Sequence, residues 1–73
     1  MDRATIEPAI RTVLTRIHSK LNEAARIAKA ADACALAGRV TEAVTISMDI
    51  EQLIYEAGRL QDAVSLLNRL SRG

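Results

Sequence analysis

Two near copies of one octapeptide decide the fold: Ala37-Gly38-Arg39-Val40-Thr41-Glu42-Ala43-Val44 and Ala57-Gly58-Arg59-Leu60-Gln61-Asp62-Ala63-Val64. Each places a glycine where a helix could stop and the next begin. If both glycines break the chain, three helices result; if only the first does, the chain is a hairpin of two long ones. The phase of the apolar residues separates these readings. Upstream of Gly38, the residues Ile10, Leu14, Ile17, Leu21, Ala24, Ala28, Ala31 and Ala35 recur at alternating spacings of four and three. That is an unbroken heptad line. Continued past Ala35 it meets Gly38, Glu42, Thr45 and Asp49, none of them core residues. The line slips by one residue at Gly38, so the chain turns there.

Downstream, a second line runs through Ala43, Ile46, Ile50, Leu53, Ala57, Leu60, Val64 and Leu67, and it crosses Gly58 without a slip. A glycine inside a helix costs about 1 kcal/mol relative to alanine, which a long helix absorbs. The reading is therefore all-α: an antiparallel helical hairpin with helices over about 5–37 and 40–70, in one helical domain spanning 1–73. A three-helix bundle broken at Gly58 is the alternative. Pro8 is expected in the first turn of the first helix, where its missing N–H does no harm, with Thr5 or Glu7 in the cap region. Glu7 and Arg11 stand at i,i+4 and are expected to pair. Gly38 is the expected left-handed stop.

Composition supports few, long elements. The 73 residues contain one Pro and three Gly, and no Phe or Trp. Alanine, leucine, arginine and glutamate, all good helix formers, dominate the chain. A chain this short builds a marginal core and gains from a disulfide, a metal or a second subunit. Its one Cys closes no internal disulfide, and one Cys with one His falls short of a structural metal site. Oligomerisation remains. The apolar flanks Val13, Ile27 and Cys34 on the first helix, and Ile54, Ala63 and Leu70 on the second, widen each face beyond what one neighbouring helix covers. Two hairpins closing into a four-helix bundle would cover them. The residues expected to form this homodimer are Ile10, Leu14, Ile17, Leu21, Ile46, Ile50, Leu53, Leu60, Val64 and Leu67.

The net charge of +1 gives no broad pull toward nucleic acid or an anionic membrane. No apolar run approaches the roughly 20 residues of a membrane span. The first residues, Met1-Asp2-Arg3-Ala4-Thr5, lack the apolar core of a secretory signal, and a cytoplasmic protein is expected. There is no phosphate-binding Gly loop, no paired His ligands and no inward Glu with a matching Glu-x-x-His. Neither an enzyme nor a cofactor is expected.

The function expected is a small protein–protein interaction module of adaptor, inhibitor or co-chaperone type, acting as a helical homo-oligomer. With Ala43, Ile50, Ala57 and Val64 on one core position, Val44, Met48 and Tyr55 fall on the outward face, with Gly58 on the same line. Met adapts to varied partners, Tyr is favoured at interface centres, and Gly permits close backbone approach. These four are the candidate partner-binding residues. The weighed alternatives are an RNA- or DNA-binding helical dimer using Arg11, Arg16, Lys20, Arg26 and Lys29 of the first helix, and a purely structural oligomer. The basic residues scatter over several faces, interrupted by Glu23 and Asp32, which counts against nucleic acid. His18 reads as an amphipathic flank and Cys34 as a small buried hydrophobe.

Overall fold

The computed structural model describes residues 2–72 and contains two helices, α1 (Arg3–Leu36) and α2 (Val40–Arg72). They lie side by side as an antiparallel hairpin with extents of 54 × 14 × 11 Å. Helix α2 runs unbroken through Gly58, so the three-helix alternative is set aside. The heptad line that crosses Gly58 holds because Ala57 and Leu60, on either side of it, both face α1 and are buried or half-buried.

The start of α1 differs from expectation. Asp2, in extended conformation, is the N-cap, and its Oδ1 accepts from the Ala4 N–H at 3.2 Å. Its carbonyl accepts from the N–H groups of Thr5 and Ile6, both at 3.1 Å. A short carboxylate at this place satisfies an orphan donor and meets the positive end of the helix dipole. The helix thus begins before Thr5, and Pro8 falls in its second turn rather than its first. The same early start puts Arg3 one turn before Glu7, which pairs with it at 3.8 Å in place of Arg11.

The turn is a Schellman motif. Gly38 has a φ of +88°. The Arg39 N–H donates to the Cys34 carbonyl at 3.1 Å and the Gly38 N–H to the Ala35 carbonyl at 3.0 Å. The Cys34 thiol donates to the Arg39 carbonyl at 3.4 Å, which ties the last turn of α1 to the first of α2. Arg39 then opens α2, its carbonyl accepting from the Ala43 N–H at 3.0 Å.

Between the helices, α2 contributes the expected line, from Ala43 through Ile46, Ile50, Leu53 and Ala57 to Leu67, all buried or half-buried. On α1 the line is rotated. It runs through Ile6, Ile10, Val13, Ile17, Lys20, Ala24, Ile27, Ala31 and Cys34, again at spacings of four and three. Leu14, Leu21 and Ala28, expected on this line, are exposed. The reason lies in α1 itself, which is apolar at three heptad positions where one neighbour covers two. Turning Leu14 and Leu21 inward would also bring Glu7 onto the seam and strand Ile6, Val13 and Ile27 outside. Ile6 is the most deeply buried side chain described, at 1% exposure.

Candidate interaction surfaces

Three surfaces follow from this register. The first is the outer ridge of α2. Val44, Met48 and Tyr55 stand at spacings of four and seven along it, with exposures of 52%, 63% and 62%. Gly58 continues the line and is exposed, and the space where a Cβ would project is open. Met48, Glu51, Gln52 and Tyr55 line a shallow depression here. The four residues expected to bind a partner therefore share one exposed strip. Tyr55 offers a large contact area at low entropic cost, because covering it fixes only two side-chain torsions.

Next to it lies a polar surface. Lys20 Nζ donates to Glu56 Oε1 at 3.0 Å across the hairpin, and Gln52 Nε2 donates to Glu56 Oε2 at 3.3 Å. The hydrogen bond from Lys20 holds the Glu56 carboxyl below the usual carboxylate range. The bond from Gln52 acts in the same direction; burial opposes them, and the nearby charges of Lys20 and Arg16 add smaller lowering effects. Arg16, Lys20, Tyr55, Glu56, Arg59 and Leu60 line a second shallow depression. Lys20 is thus engaged within the chain. Arg11, Arg16, Arg26 and Lys29 are exposed, and their heptad positions direct them to different sides of α1.

The third surface is apolar and lies on the opposite flank of the hairpin from the Lys20–Glu56 pair. Leu14 and Leu21 of α1 are 47% and 44% exposed, and Ile54 of α2 is 52% exposed. All three follow a seam residue by one heptad step, so they project to the same side. Of the residues expected at an oligomer interface, Leu53 is buried, and Ile10, Ile17, Ile46, Ile50, Leu60, Val64 and Leu67 are half-buried in the seam. Leu14 and Leu21 alone among them stand outward. Ile54 was a flank residue by sequence; its one-step offset from Leu53 is the signal that groups it with Leu21. Leu36 and Val40, which bracket the turn, are exposed as well and were not singled out by periodicity. His18 is exposed and Cys34 half-buried.

Among the described residues, no group of three His, Cys, Asp or Glu could hold a metal ion, and no helix is long and apolar enough to cross a membrane. Compared with known proteins, the chain matches no family model, no curated protein and no solved structure.

Proposed function

We propose that this chain is a small protein-interaction module that works as a helical homo-oligomer and receives a protein partner on the outer ridge of α2. The observation that carries the reading is the exposed strip of Val44, Met48, Tyr55 and Gly58. An aromatic and a thioether flanked by Glu51 and Gln52 combine apolar area with hydrogen-bonding edges, the composition of an interface core with its rim. Isolated surface hydrophobes need no explanation; a line of them beside an open glycine does.

A photo-crosslinking residue placed at Met48 in the full chain tests this. One discrete adduct with a different protein is expected, absent when the residue is placed at Arg26 on α1. Replacing Met48→Asp together with Tyr55→Asp should abolish that association and leave helicity and self-association unchanged. Adducts formed only between copies of this chain would overturn the partner site. Collapse of the fold in the double variant would show that the ridge is core.

A further inference from the structure

We propose that a second copy of this chain docks on the face carrying Leu14, Leu21 and Ile54, with the two turns at opposite ends of the resulting four-helix bundle. This deepens the homo-oligomer reading above and rests on it.

Area argues for a second copy. A folded monomer of 7.9 kDa exposes about 4,400 Å² by the usual scaling of surface with mass. This chain exposes 5476 Å². The excess of roughly 1,000 Å² is close to the ~800 Å² that each partner gives to a standard interface. The hairpin's 54 × 14 Å silhouette offers an area of the same order.

Register selects the arrangement. The Lys20–Glu56 contact sets Leu21 within one residue of the level of Ile54, near the middle of a hairpin whose first helix spans Arg3–Leu36. A twofold axis crossing the face at that level overlaps two whole hairpins end to end. Helix α1 then lies against its own copy in reverse. Leu21 meets Leu21, and Leu14 meets Ala28 of the second copy, a large residue against a small one. On α2, Ile54 meets Ile54, and Ser47 meets Gln61 of the second copy, polar against polar. At the rim, Arg11 comes level with Asp32 of the second copy, twice by symmetry; the equivalent rim line of α2 carries Val44, Glu51 and Gly58, so Met48 and Tyr55 are the part of the partner ridge that stays wholly outside the bundle. Placing both turns at one end instead sets Leu14 against Gln61 and Arg11 against Ser65, with no charge match. Complementary rim charges fix register more than they add affinity. Within one chain Arg11 and Asp32 are about 30 Å apart along the helix, so they cannot pair intramolecularly.

The experiment uses the full chain. Sedimentation equilibrium should give a dimer, and Leu21→Asp should yield a helical monomer, with self-association weakened at least a hundredfold. Arg11→Asp alone should weaken the dimer, and adding Asp32→Arg should restore it. This exposed pair tests the register even if Leu21→Asp fails to fold. A spin label at Ala33→Cys in a Cys34→Ser background should report about 40 Å between copies, against about 25 Å or less for turns at one end. The shorter distance, or no rescue by the double charge reversal, would overturn this arrangement while leaving the homo-oligomer reading standing. A dimer indifferent to Leu21→Asp would overturn the face. A folded monomer at 100 µM would overturn both, and the Met48 crosslink would still report separately on the partner ridge.

Discussion

At the residue scale, the two glycines that look alike in sequence have opposite energetics. Gly38 sits at φ +88° with open space around it, so alanine there meets no clash and suffers only the left-handed backbone penalty. The expected cost of Gly38→Ala is about 1 kcal/mol. Gly58 is helical and equally open, so Gly58→Ala should stabilise by roughly 0.5–1 kcal/mol. Urea denaturation of both variants checks the pair; a loss at Gly58 would mean that its bare backbone is in contact with something. The Lys20–Glu56–Gln52 cluster sets a pH dependence. Glu56 is held below its ordinary value in the folded chain, so the folded state favours its ionised form. The stability it contributes is complete above the unfolded-state pKa and is lost as pH falls through the lowered folded-state value. The urea midpoint should therefore fall on acidification below the ordinary glutamate range. Glu56→Gln should remove part of that fall and lower the midpoint at neutral pH. Parallel curves for the two proteins from pH 7 to pH 3 would exclude this role for the carboxylate.

At the scale of the elements, α1 carries a defect that its neighbour compensates. Pro8 lies in the second turn, where it supplies no N–H to the Ala4 carbonyl and its ring crowds that turn. The first turn stays attached because Ile6, two residues before the proline, is the most buried residue described. Pro8→Ala should stabilise by up to about 3 kcal/mol, read as a raised thermal midpoint and slower amide exchange in residues 3–7. Ile6→Ala should release the same segment to exchange. Much of this architecture was legible beforehand. The slip of phase at Gly38 and its absence at Gly58 distinguish a turn from a helical glycine, because only a continuous helix keeps its apolar residues on one line. The α2 seam was legible for the same reason: its heptad positions are apolar on two lines with few competitors. The α1 seam was not. Ile10 and Ile17 belong to two possible lines, one continuing through Val13 and Ile27 and the other through Leu14 and Leu21. Counting spacings alone does not choose between them. Three-dimensional context does, because one line carries Lys20 to Glu56 and the other carries Glu7 into the seam. The start of α1 was misplaced because Asp2, an ordinary cap residue, lies before a proline that reads as a first-turn signal. The ridge of Val44, Met48 and Tyr55 was visible by elimination, as the apolar residues left over once the α2 seam is drawn.

At the scale of the whole molecule, two 50 Å helices are held by a seam with few large buried side chains. Ile6, Ala24, Ala43, Leu53 and Ala57 are the buried apolar residues described, and three of these five are alanines. Alanine lets the helix axes approach but removes little surface from water, so each large seam residue matters. Leu53→Ala should cost about 2–4 kcal/mol, enough to unfold a large fraction of so small a chain. A hairpin of this kind gains stability from any second copy that covers its remaining apolar face. Its stability is then inseparable from its concentration. For a dimer of two 73-residue chains, the unfolding enthalpy is about 100 kcal/mol, and each tenfold rise in concentration adds about 1.4 kcal/mol. The thermal midpoint should therefore climb by about 5 °C per tenfold concentration. Circular dichroism melts at 1, 10 and 100 µM measure this directly. Leu21→Ala should shift the whole series downward while keeping its slope, because in the proposed arrangement Leu21 acts through the dimer. Leu21→Asp should flatten the slope, because its monomer gains nothing from more copies. A flat series for the unaltered chain would mean that the hairpin holds itself together alone. The exposed Leu14, Leu21 and Ile54 would then be surface that this fold tolerates rather than surface it shares.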